Sequence, residues 1–224
     1  MRRFVRDNSL SLFFLVAFVL ALIGQSFAGN AAVNEDRLAE GSAPLSWAEY
    51  VTSSDFAVDV AENWQSEYLQ FLLFILATVW LVQRGSPESK KPGDEGTEDD
   101  AEQKVGRHAP PDGPDWAGAG GLRQGLYGRS LGLAMGAIFL LSWLAQSVAG
   151  TAAYNTERLT RLEDPVSWGQ YALSADFWNR TLQNWQSEFL AVLSMVVLSI
   201  YLRQRGSPES KPVGAPHEAT GVEG

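Results

Sequence analysis

Glu67 and Glu188 each stand at the head of an apolar run, YLQFLLFILATVWLV at 68–82 and FLAVLSMVVLSIYL at 189–202. A carboxylate drawn to the edge of a hydrocarbon layer suits proton or cation handling, and an ionisable group at that depth points by default to function. Asn63 and Glu67 share a helical face by i, i+4 spacing, with Gln70 at i+7; the second face is Asn184 and Glu188, then Ala191. Gln25 and Gln146, near the ends of two other apolar segments, are their candidate partners. Such a set would serve passage of a cation or small solute. The expected role is helix fastening, at about 0.6 kcal/mol per polar contact, with passage of an ion or solute as the alternative.

The inventory for catalysis is thin. There is no cysteine, and His108 and His217 lie in Gly- and Pro-rich segments without convergent ligands, so neither a metal nor a cofactor is expected. No phosphate loop, nucleophile elbow or zinc-protease motif occurs. Lipid-headgroup chemistry through Asp55 and Glu67 is the one enzymatic reading, and no nucleophile setting supports it.

A second constellation is QRGSPESK, at 83–90 and again, letter for letter, at 204–211. Arg84 and Arg205 are placed to complement a helix C-terminus, Gly85 and Gly206 to form a left-handed cap, and Pro87 and Pro208 to stop continuation. Ser86, Glu88, Ser89 and Lys90, with Ser207, Glu209, Ser210 and Lys211, have no such role. They are expected to form a paired cytoplasmic docking patch.

These residues need helices to carry them. No charged residue occurs between Asp7 and Glu35 or between Arg129 and Glu157, and each window holds about 20 apolar residues, the length of a membrane span. The shorter runs at 68–82 and 189–202 are expected to be spans as well, flanked by Trp64 or Trp185 and by Arg84 or Arg203. MRRFVR, an apolar run and SFA before Gly29 match a signal peptide. Because Gln25, Ser26, Ala28 and Gly29 recur as Gln146, Ser147, Ala149 and Gly150 at the end of an internal span, a retained helix is expected instead.

Residues 9–90 align with 130–211 at a constant offset of 121 without a gap, and 37 of the 82 pairs are identical. NWQSE (63–67, 184–188) and QRGSPESK are kept complete, whereas between 68 and 82 only Leu69, Leu72 and Leu81 are matched. Each copy holds two spans, so the copies enter and leave on one side as parallel repeats, for which a pseudo-two-fold along the membrane normal is the simplest packing. The expected fold is all-α: a four-helix transmembrane bundle of two parallel two-span repeats, with short interfacial helices in the outer loops.

Of the 17 Lys and Arg, 13 lie in the N-terminus (1–8), the linker with its flanks and the tail, which puts both termini in the cytoplasm. Residues 30–67 carry eight acids and one base, and 151–188 five acids and three bases, so the outer loops total -9. The linker, 91–129, is acidic and rich in Gly and Pro and is expected to be disordered, and 212–224 to be a flexible tail.

SWAE after Pro44 and SWGQ after Pro165 are capping boxes that start short helices at Ser46 and Ser167. Ser53 and Asp55, like Ser174 and Asp176, then offer caps for a helix from about 56 to 83. Trp47, Tyr50, Phe56, Trp64 and Tyr68, with Trp168, Tyr171, Phe177, Trp185 and Phe189, suit an outer aromatic belt. Arg37 is placed to pair with Asp55, and Arg158 with Asp176, with a solvated or lipid-phosphate role as the equal alternative. Small residues four apart, Gly24 with Ala28, Ala145 with Ala149 and Gly132 with Gly136, permit close helix approach.

The NWQSEFL and QRGSPESK blocks, on an ungapped two-span repeat, resemble a family of small bacterial membrane proteins known only as a domain of unknown function. The resemblance implies a bacterial multi-pass membrane protein and supplies no reaction or ligand. The expected role is non-enzymatic, structural or interactive, in the cytoplasmic membrane. The expected partners are the bilayer and another membrane or cytoplasmic protein, not nucleic acid, with self-association allowed. A small transporter or channel is the alternative.

Overall fold

Each of the two long apolar segments is a single 31-residue helix in the computed structural model, which describes residues 2–222. The order is α1 (Arg2–Asp7), α2 (Ser9–Ala39), α3 (Trp47–Val51), α4 (Ser54–Trp80), a 3-10 turn at Gly106–His108, α5 (Leu122–Tyr127), α6 (Ser130–Thr160), α7 (Trp168–Ala172) and α8 (Ala175–Tyr201). No strand occurs among the described residues. The linker is a run of turns broken by the 3-10 turn and α5.

Among the described residues two helices, α2 and α6, are long and apolar enough to cross a membrane, where the sequence led us to expect four. The difference lies in NWQSE, which sits inside α4 and α8 and dilutes their apolar runs. Only 6% of the apolar window of α2, and 22% of that of α6, is buried within the protein. Phe13, Phe14 and Leu20 on α2 are all more than 60% exposed. Core helices of a water-soluble protein would cover such side chains; an apolar surface left this bare needs lipid or protein against it.

The chain divides into two compact units, one of residues up to Ala61 with Ala145–Ala172, the other of Glu62–Leu144 with the residues from Leu173 onward. In the first, two short helices are seated on the long helices that precede them. Tyr50 and Tyr171, both 1% exposed, anchor these contacts. They are therefore packed inside the protein, a correction to the aromatic belt.

In the second unit the small-residue pair Gly132 and Gly136 admits the side chains of Leu76 and Leu72, 3.8 and 3.7 Å from where a Cβ would stand. That is the close approach expected of this pair; Gly24 has no neighbour within 4 Å of that position. Trp143 gathers a second cluster, stacked on Phe139 (5.6 Å) and Phe177 (6.2 Å), with Trp178 and Trp185 at 6.0 and 5.8 Å. Phe177 and Trp185 thus also leave the expected belt.

Both α4 and α8 end earlier than position 83 or its equivalent. The Ser89 hydroxyl accepts from Gln83 N–H (2.8 Å) and the Ser210 hydroxyl from Gln204 N–H (2.9 Å), which turns the chain back on itself beyond the last helical residue.

Candidate functional site

The loops that follow α2 and α6 repeat one set of bonds. On α2, the Ser26 hydroxyl accepts from the Trp47 indole N–H at 3.0 Å, and on α6 Ser147 does the same for Trp168, also at 3.0 Å. Three residues on, Gly29 and Gly150 have no side chain because Tyr50 and Tyr171 occupy its place. A Cβ on Gly150 would lie 2.6 Å from the Tyr171 hydroxyl, and one on Gly29 closer still to Tyr50. One turn further, Asn34 accepts from Leu45 N–H (2.6 Å) and donates to its carbonyl (2.8 Å), and Asn155 holds Val166 likewise (2.8 and 2.9 Å). Arg37 and Arg158 then donate to the Ala43 and Asp164 carbonyls.

Those arginine contacts correct the expected ion pairs. Arg37 holds its own loop rather than Asp55, and Arg158 pairs with Glu163 at 2.9 Å rather than Asp176. Both loops are short enough for the guanidinium to reach the backbone first. The capping boxes form as expected: Ser46 with Glu49 and Ser167 with Gln170 exchange both bonds. These bonds to Ser46 hold the Glu49 carboxyl below its ordinary value.

NWQSE behaves differently in its two copies. Gln65 is fully buried, accepts the Trp185 indole N–H at 2.7 Å and donates to the Glu62 carbonyl, whereas Gln186 is exposed. Ser66 is buried and Ser187 exposed. Close by, Arg180 pairs with Glu62 at 3.0 Å; the equivalents of these two residues are Asp59 and Gln183. Asn63 and Glu67 are exposed, and Asn184 and Glu188 half-buried. These four lie in the second unit, whereas half-buried Gln25 and fully buried Gln146 lie in the first. The buried members of the block are thus Gln65 and Ser66. The i, i+4 argument passed over them because it followed the Asn63–Glu67 face.

QRGSPESK is a closed turn. Ser86 N–H returns to the Gln83 carbonyl (3.1 Å) and Ser207 N–H to that of Gln204 (3.2 Å), with Gly85 and Gly206 at φ 89° and 81°, a region that favours glycine. The glycines serve this turn, not the helix cap, because the helices have already ended. The Ser86 and Ser207 hydroxyls accept from Glu88 and Glu209 N–H at 3.3 and 3.2 Å. Ser89 and Ser210 make the chain reversal already described and also donate to the carbonyls of Lys90 and Lys211 (2.9 and 3.1 Å).

The lysines complete the turns. Lys90 donates to the Gly96 carbonyl (2.6 Å) and pairs with Glu98 (2.5 Å). Lys211, 1% exposed, donates to the carbonyls of Gly85 (2.6 Å), His217 (2.9 Å) and Ala219 (3.2 Å), with that of Pro216 at 3.4 Å. Burial, with the Arg203 charge nearby, pushes its ammonium below the ordinary lysine value. The α8 carbonyls are met by Arg203, which donates to Ser199 and Ile200, and not by Arg205. Arg84 pairs with Glu218 at 2.9 Å.

Glu88 and Glu209 face each other where the two turns approach. Burial first, and then the facing Glu209, hold the Glu88 carboxyl above its ordinary value. A cavity lies beside Lys90, lined by Ser89, Lys91, Glu98, Glu102 and Gly221; its lining includes neither Glu67 nor Glu188. No cluster of three or more metal-ligating side chains occurs among the described residues.

The profile of the family described as a domain of unknown function (DUF6766) matches residues 1–222. The chain belongs to that family. No curated protein and no solved structure matches it. In this member of DUF6766, then, the internal bonds of the polar blocks are the available guide to what they do.

Proposed function

We propose that the chain is a non-enzymatic, multi-pass protein of the bacterial cytoplasmic membrane, with four crossing helices, both termini cytoplasmic, and a role as a structural or interaction partner. The observation that carries this reading is the use of the retained polar residues. Ser26, Asn34, Ser86, Ser89 and their copies close turns and hold loops, Gln65 joins α4 to α8, and Glu209 and Arg205 are left on an accessible surface. A catalytic site would instead draw such groups toward one cleft.

Retention of α2 is part of the proposal. Cleavage after Ala28 would remove Ser26, the acceptor for the Trp47 indole, and would leave α3 without its seat. For α4 and α8, the bare apolar surface that follows NWQSE supports crossing. Phe71, Leu73 and Leu76 on α4, and Leu190 and Leu193 on α8, are all more than 40% exposed.

Photo-crosslinking in the membrane from Glu209, followed by pull-down of the full chain, tests the interaction role. A specific crosslinked protein is expected. Recovery of none, together with an intact envelope when the chain is deleted, would remove the reading.

The second reading, a path for a cation or small solute, is favoured by Glu67 and Glu188 beneath loops that total -9, a balance that concentrates cations. Proteoliposome flux measured with Glu67→Gln and Glu188→Gln together separates it. Flux unchanged by both substitutions excludes these carboxylates as its site.

A further inference from the structure

Two copies of one eight-residue turn lie in the second unit with the same serine hydroxyl bonds, and the glycine of only one of them is covered. On the first, the chain's own C-terminal segment is docked. Gly85 N–H donates to the Thr220 hydroxyl (2.8 Å), Gly221 N–H donates to the Ser86 carbonyl (3.0 Å), and Arg84 pairs with Glu218 (2.9 Å). A Cβ on Gly85 would meet the His217 carbonyl at 2.5 Å, so the segment lies directly against the glycine. Gly85, Ser86 and Pro87 are buried beneath it.

The second turn has the same sequence, the same positive-φ glycine and the same serine bonds. Among the described residues, no atom comes within 4 Å of a Cβ built on Gly206, and Arg205, Gly206 and Pro208 are exposed. We propose that the second turn, Gln204–Lys211, is a receptor for an extended Glu-x-Thr peptide segment of a cytoplasmic protein. Gly206 N–H would donate to the segment's hydroxyl, the Ser207 carbonyl, which accepts Ser210 N–H at 3.2 Å, would take the following backbone N–H on its second lone pair, and Arg205 would pair with the carboxylate two residues before the hydroxyl.

The chemistry of the occupant is read from the occupied copy, and the proposal rests on the interaction role above. Each chain has one C-terminal segment for two receptors, and Lys211 fixes that segment to the first by gripping the Gly85, His217 and Ala219 carbonyls together. A second copy of the chain holds its own segment in the same way, at the high effective concentration of a tethered ligand. The open receptor is therefore left for a different chain. Main-chain bonds give it affinity and the flanking side chains give it selectivity, as in other recognition of extended peptides.

The test uses a fluorescent peptide of residues 215–222, APHEATGV, titrated onto the full chain in lipid nanodiscs. Saturable binding at one site per chain is expected. Replacing Thr220 by Val in the peptide is expected to weaken binding about tenfold. Arg205→Glu in the protein is expected to do so by about the same factor, and Glu218→Arg in the peptide to restore binding to that variant. No saturable binding, or binding indifferent to Arg205→Glu, overturns the receptor. Dimers of the chain that disappear when residues 216–224 are deleted would assign the turn to a second copy and overturn it too. A protein crosslinked from Glu209 while the peptide fails to bind would overturn this segment chemistry and leave the interaction role standing.

Discussion

The loops after α2 and α6 and the turns after α4 and α8 each occur twice with the same key residues, but the two kinds of pair stand in different states. In the loops, identical residues make identical contacts: Ser26 with Trp47 and Ser147 with Trp168, Gly29 beneath Tyr50 and Gly150 beneath Tyr171, Asn34 on Leu45 and Asn155 on Val166. In NWQSE and QRGSPESK, identical residues keep their internal bonds and take different neighbours. Gln65 is buried against Trp185 while Gln186 is exposed, and Gly85 is covered while Gly206 is open. A contact that closes within one copy is copied with the sequence. A contact between copies is free to become one-sided, and Glu62 with Arg180, whose equivalents are Asp59 and Gln183, shows that it has.

The strongest way to break this comparison is at the glycine seats. Gly29→Leu or Gly150→Leu forces a side chain into a space filled by tyrosine and is expected to destabilise by about 2–3 kcal/mol, equally in the two copies. Unfolding in detergent followed by tryptophan fluorescence measures it. Unequal effects would show that the two loops are not equivalent.

NWQSE gives the opposite expectation. Gln65→Ala leaves the Trp185 indole N–H without its acceptor and is expected to cost about 1–2 kcal/mol, whereas Gln186→Ala is expected to stay within about 0.5 kcal/mol. Equal losses in the same unfolding measurement would remove the asymmetry. A smaller, symmetric effect of about 1 kcal/mol each is expected for Asn34→Ala and Asn155→Ala, since water reaches part of each loop.

The smallest effect is that of pH. The Glu88 carboxyl titrates above its ordinary 4.5 in the folded protein. The folded state therefore binds the proton more tightly, and this contribution to stability is present below 4.5 and is lost as pH rises through the raised value. Glu88→Gln is expected to flatten the dependence in thermal unfolding scans across that window. A wild-type profile that rises with pH over the window, and is unchanged by Glu88→Gln, would contradict the carboxyl pair.

What the sequence disclosed follows the same division. Local bonds were legible: the Ser46 and Ser167 capping boxes and the Ser53 and Ser174 caps (3.3 Å to Phe56 N–H and 3.2 Å to Phe177 N–H) can be inferred from spacing alone. The long-range contacts were not. Nothing in the spacing distinguishes Gln65 from Gln186, because their immediate neighbours are the same and burial is decided by another helix. The aromatic belt failed at Tyr50 and Tyr171 for the same reason, since the glycines that receive them lie 21 residues earlier. The Ser89 and Ser210 bonds to Gln83 and Gln204 were visible only as an unexplained identity of sequence, and the shortened helices follow from them.

The proposed four-span arrangement would decide which residues face the cytoplasm, and reporter fusions after Ser42 and after Arg84 test it most directly. The account predicts an outside signal for Ser42 and a cytoplasmic signal for Arg84, because α2 crosses once and α4 returns. The same outside signal from both would leave α4 uncrossed, place QRGSPESK outside the cytoplasm and contradict the arrangement.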